Sequence, residues 1–323
     1  MSTTEVPARV QPARVAVTVT LLAVLATVVA QLTMTADLAG REPAELFAST
    51  LRVLGYVAAS GTVGSLVLVL LTNPVEGRAE DPTTAALTFS ASVWATAWAA
   101  SSVVTAATTL VRAELGGAVL PTPASGSSAL DGVVVASVLT ALAAGVVAAL
   151  THGGRTRRVP AAYLLALGAL AGLVLTGHSA GADNWGWALL SLALHVGAVT
   201  LWFGGLLALV TQVATEAPTA GQLRQFSSVA LGAFFGVVLS GVGNVLSRMS
   251  PAQLLDSGAY VLLLGVKIGL LVLLGLAGLG HRTRSIRKVE QGSPHAFWLL
   301  VAGELVLLAV ATGFAVVLAR TGF

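Results

Sequence analysis

The chain contains no cysteine. Disulfides, thiolate ligands and a cysteine nucleophile are thereby excluded, and histidine and methionine remain as its softest metal ligands. Charge is almost as scarce. Asp, Glu, Lys and Arg make up only 10% of the 323 residues, where a soluble domain carries roughly a quarter. Most of the chain must therefore sit where water cannot solvate a charge. Strands that alternate polar and apolar residues are also lacking, which argues against a β-barrel. What fills the sequence instead is apolar: 56% hydrophobic residues and a mean hydropathy of +0.89. Its first partner is the lipid bilayer. The net charge of +3 follows the loops between apolar runs, so no nucleic-acid partner is implied.

Nine continuous apolar runs can be read, at about 15–36, 48–71, 84–111, 133–150, 159–177, 187–212, 226–246, 259–280 and 296–319. Each reaches or approaches the roughly 20 residues that cross a hydrocarbon core. The expected fold is all-α, a polytopic transmembrane bundle of about nine spanning helices. The first run is too long for a signal-peptide core and lacks a small-residue cleavage site after it, so it is expected to be a retained helix. Turn residues separate the runs: Asn73–Pro74, Asp81–Pro82, the Pro/Ser/Gly-rich stretch Leu120–Ser128 and the basic stretch Thr151–Pro160.

Loop charges give a direction. With a cytoplasmic N-terminus, the inner segments hold Arg9, Arg14, Arg78, Arg155, Arg157, Arg158, Arg224, Arg282, Arg284, Arg287 and Lys288. The outer segments hold Arg41, Arg52, Arg112, Arg248 and Arg320. Positive charge accumulates inside, so the N-terminus is expected in the cytoplasm and the C-terminus outside. Three regions follow: a cytoplasmic segment 1–14, a four-helix membrane region 15–150 and a five-helix membrane domain 151–323. Two GxxxG pairs, Gly168–Gly172 and Gly232–Gly236, offer close helix contacts. Trp94 and Trp98 lie too deep for an interfacial belt and read as core packing.

Two charges fall well inside the spans, Lys267 in the eighth run and Glu304 in the ninth. At 1.5 Å per residue, Lys267 is roughly 20 Å and Glu304 roughly 12 Å from the inner ends of their helices. A lone charge at mid-membrane costs at least about 2.5–3.5 kcal/mol, so a buried Lys267–Glu304 pair is expected. It either holds two helices in register or takes part in ion or cofactor handling. Of five histidines, His152, His281 and His295 fall at inner loops. His178 and His195 belong to the outer half of the membrane. Ser191, Ala198 and Trp202 share a helical face with His195, giving a small-walled groove with an aromatic floor. An imidazole in hydrocarbon needs a partner, which is either a hydrogen-bonding group on a neighbouring helix or a metal or haem iron. Asn244 is a further buried polar candidate. Met34 and Met249, at the outer edge, have the thioether chemistry that suits Cu(I).

Five pieces in order, over about half the chain, resemble the copper resistance protein D (CopD) family. They are Thr176-Gly-His178-Ser-Ala, Leu194-His195 through Leu201-Trp202-Phe-Gly-Gly-Leu, Leu223-Arg224-Gln-Phe226-Ser227 through Ser240-Gly241-Val-Gly-Asn244, Val266-Lys267-Ile-Gly-Leu closing on Gly280-His281-Arg282, and Glu304 in the last span. The resemblance implies a non-enzymatic protein of the bacterial cytoplasmic membrane that transports copper ions, in the direction of uptake, or delivers them. It carries over His178 and His195 as outer copper contacts, with Lys267 and Glu304 as the polar pair. A Met- or His-rich outer loop is missing, so an extracytoplasmic copper-binding protein or an oxidase assembly factor is the expected partner. The helices around His195 and Lys267 are also similar to HemJ-type protoporphyrinogen oxidases. That similarity implies a haem-binding oxidoreductase or cytochrome oxidase assembly factor, with haem b on His195. A structural membrane subunit, in which both histidines only pack, is the third reading.

Overall fold

The computed structural model describes residues 11–34, 43–72, 82–116, 125–175, 185–213, 218–247, 258–280 and 295–318. They form nine α-helices and no strand: α1 Pro12–Met34, α2 Pro43–Thr72, α3 Pro82–Gly116, α4 Ser125–Thr151, α5 Val159–Leu175, α6 Trp185–Val213, α7 Ala220–Leu246, α8 Gly258–Gly280 and α9 His295–Leu318. The all-α membrane bundle expected from the apolar runs is the architecture found. Eight of these helices are long and apolar enough to cross a membrane. The ninth, α5, has 17 residues, the lower limit for a span, and the rest of its apolar run lies outside the described residues.

Local chemistry sets the helix starts. Proline opens α1, α2 and α3, where its missing N–H costs nothing and its fixed φ suits the first turn. Thr219 and Gln222 form a reciprocal capping box at the start of α7. Gln212, buried near the end of α6, donates through Nε2 to the same Gln222 Oε1 at 3.2 Å, tying the two helices together at that end. Between α4 and α5 the chain reverses at Gly154, whose φ of 67° is a backbone state that side chains disfavour.

Helix α2 is the axis of the bundle. It packs on α1, α3, α5, α6, α7 and α9, and every residue from Val57 to Val69 is buried. Lipid tails give helices no hydrophobic reason to associate, so such an axis has to be narrow. Its middle is accordingly made of Ala58, Ala59, Ser60, Gly61, Thr62, Gly64 and Ser65. Its crossing with α6 is backbone on backbone, where Gly64 meets Gly204 and Gly204 meets Ser60. Interhelical hydrogen bonds add Ser65 Oγ to Ser90 Oγ at 3.3 Å and Ser92 Oγ to the Ala148 carbonyl at 3.1 Å. Trp98 is fully buried and Trp94 half-buried in the same core, as expected.

The bundle closes by packing its first described helix against its last. Gly313 of α9 sits on the backbone of α1, where an added Cβ would come within 2.5 Å of the Ala23 carbonyl oxygen. Packing therefore runs across residue 151, since α1 meets α9 and α2 meets α6. Each GxxxG pair places one glycine in an interface and one in the open: Gly172 faces Thr140 and Gly236 faces Ala198, while Gly168 and Gly232 have no neighbour within 4 Å.

Candidate functional site

One face of α6 carries Ser191, His195, Ala198 and Trp202, and α7 covers it. The glycines of α7 let the helices approach, because a Cβ at Gly243 would lie 2.5 Å from Ser191 Oγ and one at Gly236 would lie 3.1 Å from Ala198 Cβ. Ser191 donates its hydroxyl to the Ser240 carbonyl at 2.8 Å. His195 Nδ1 stands 3.0 Å from Ser240 Oγ. The Ser240 hydroxyl donates to the Gly236 carbonyl one turn back, so its oxygen is left to accept. That assigns the proton of the ring to Nδ1 and makes Nε2 the nitrogen with the lone pair. The ring is thus oriented by α7 and keeps one nitrogen with metal-ligand character.

His195 lies ten residues from the start of α6, and Lys267 nine residues from the start of α8. Both are about 14 Å into their helices, and the Lys267 ammonium is within electrostatic reach of the imidazole. Below this level the chemistry changes. Trp202 is buried and meets Phe234 edge-on, with ring centroids 5.8 Å apart at 80°. Its indole hydrogen-bonds the carboxyl group of Glu304, itself only 3% exposed. Each intramembrane charge therefore acts on a residue of α6: Lys267 electrostatically on His195, and Glu304 on Trp202 through the hydrogen bond.

From Trp202 and Glu304 a cleft of about 260 Å³ runs between α6, α7, α8 and α9 toward Leu223 and Leu279. It exists because α7 and α8 barely touch and turn Phe235, Leu239, Leu262 and Leu276 outward.

The expected residues distribute as follows. His195 and Trp202 lie on the same buried face, Glu304 joins Trp202, and Lys267 approaches His195. Asn244 sits half-buried one turn beyond Ser240. Met34 closes α1. His178 and Met249 lie outside the described residues. Among the described residues no three His, Asp or Glu side chains cluster as a metal cage would need. The hydrogen bond of His195 to Ser240 joins two helices, so no spacing within α6 signals it, although Ser240 opens the stretch Ser240-Gly241-Val-Gly-Asn244.

The family whose model matches this chain is Copper resistance protein D, over residues 220–318. The matched segment spans α7, α8 and α9 and contains Ser240, Lys267 and Glu304. The resemblance read from the sequence holds there. No curated protein and no solved structure matches the chain.

Proposed function

We propose that this chain, a multi-pass membrane protein with a copper resistance protein D segment in α7 to α9, takes up copper from the outer face through His195. Copper resistance as the general role follows from the family match. The finer reading rests on one observation: a half-buried imidazole whose Nδ1 is held by Ser240 Oγ at 3.0 Å, which leaves Nε2 to bind a soft cation. Cu(I) accepts low coordination by imidazole and thioether groups. His178 and the outer methionines Met34 and Met249 are the ligands that the sequence offers beside it, and an extracytoplasmic copper carrier is the donor that fits their position.

Lys267 gives the site its second property. An ammonium within reach of His195 repels a bare cation, so the ion is bound without being trapped. Further inward, Ala198 against Gly236 and Trp202 against Phe234 close the helix seam. Trp202 therefore acts as the gate, and inward movement of copper requires the Trp202–Phe234 contact to open.

Competition of the detergent-purified protein with a Cu(I) chelator under reducing conditions tests this, beside Ser240→Ala. The hydroxyl only orients the ligand, so its loss is expected to weaken Cu(I) binding about 10–100-fold. Folding should cost no more than roughly 1–3 kcal/mol for the lost hydrogen bonds. Equal affinity in Ser240→Ala would remove the orienting role, and a Soret band in the native protein would move the reading to haem.

A further inference from the structure

The cleft between α7 and α8 is built for a different occupant. Its walls are apolar and partly aromatic, with Phe226, Phe234 and Leu274 among them. At one end Trp202 and Glu304 present an indole and a carboxyl group that hydrogen-bond each other. The helices beside its side opening, α7 and α8, turn large apolar residues outward, so in a membrane the opening faces lipid chains. Whatever enters must therefore dissolve in the bilayer.

The polar end decides among lipophilic molecules. An acyl chain would use neither the carboxyl nor the indole at that end, the two polar groups that distinguish the cleft from a plain lipid groove. An anionic headgroup would find no cationic side chain among the lining residues. A neutral flat ring bearing hydroxyl or carbonyl groups fits both features. Its edges pack against Phe226 and Phe234, and its oxygens exchange hydrogen bonds with the carboxyl and the indole. At about 260 Å³ the cleft is slightly smaller than common ligand pockets of roughly 300–1,000 Å³, so it takes the head while the tail extends into lipid.

We propose that the α6–α9 cleft is a binding site for a membrane quinone, its ring at Trp202 and Glu304 and its isoprenoid tail leaving between α7 and α8. The site shares Trp202 with the seam below His195 but does not include His195 itself, and it does not rest on the copper reading.

Gly278 supplies the test. It lines the cleft, and a Cβ added there meets no atom within 4 Å, so Gly278→Leu starts from an open position and projects its side chain into the cavity. The purified protein is titrated with a decyl-tailed benzoquinone, following tryptophan fluorescence. Saturable quenching is expected for the native chain, with Kd raised at least tenfold in Gly278→Leu and several-fold in Glu304→Gln. Circular dichroism and elution volume should be unchanged in both. An organic extract of the native protein should contain the quinone of its host membrane. Quenching that never saturates, or that is equal in Gly278→Leu, overturns the proposal, as does an extract with phospholipid alone. Cu(I) affinity should survive in Gly278→Leu, so failure of either site is read independently of the other.

Discussion

Gly204→Leu is expected to yield no monodisperse protein after detergent extraction, whereas Gly232→Leu should purify and melt like the native chain. Both glycines lie in long apolar helices, and hydropathy cannot tell them apart. The difference is what a Cβ would meet. At Gly204 it would overlap the Ser60 carbonyl of α2 and stand 3.0 Å from the Gly64 nitrogen. These are backbone atoms of a packed helix and cannot rotate away as a side-chain tip can. Overpacking a core typically costs about 1–3 kcal/mol when side chains and backbone can shift. Here relief requires α2 and α6 to separate, and α2 is the helix on which six others pack. At Gly232 no atom lies within 4 Å, so the change should stay within about 0.5 kcal/mol. Size-exclusion elution and thermal melting of the two variants decide the matter. A Gly204→Leu protein with native elution and melting would mean that the α2–α6 crossing is looser than its geometry.

The same pair of glycines shows what the sequence can and cannot reveal. Long apolar runs are bounded by prolines, loop charges and turn residues, and these carry the helix ends: the run 187–212 became Trp185–Val213 and 259–280 became Gly258–Gly280. Hydropathy reports burial in lipid, however, and lipid is as apolar as the helix core. A helix that is apolar all round has no face that names its neighbour. The contact of α1 with α9 was therefore invisible, and so was the choice of Gly172 and Gly236 over Gly168 and Gly232.

The site divides along the same line. Residues on one helix could be placed together by their spacing, and Ser191, His195, Ala198 and Trp202 do share a face. Ser240 lies 45 residues from His195, on a helix whose rotation no periodicity fixed. Opposite signs on Lys267 and Glu304 made a mutual pair the natural expectation. In the fold Lys267 acts electrostatically on His195 and Glu304 accepts from the Trp202 indole, both residues of α6, a relation that depends on how three helices are rotated.

His195→Gln is expected to abolish measurable Cu(I) binding while leaving the fold intact, and His195→Met to retain part of it. The glutamine amide can still donate to Ser240 Oγ, so the α6–α7 seam keeps its hydrogen bond and its volume. What disappears is the nitrogen lone pair at the position of Nε2, and an amide oxygen is a hard, weak ligand for Cu(I). Loss of a direct ligand should exceed the roughly 10–100-fold that an orienting partner such as Ser240 contributes. Methionine restores a soft donor of similar reach, although its thioether lacks the ring's second nitrogen and cannot be held by Ser240. The three proteins should therefore rank native, then His195→Met, then His195→Gln in chelator competition under reducing conditions, with matching thermal melts. Melts that match while all three bind Cu(I) equally would remove His195 from the copper route and leave it as a packing residue of the seam. Equal affinity for native and His195→Met, with loss only in glutamine, would keep the ligand role but deny that Ser240 tunes it.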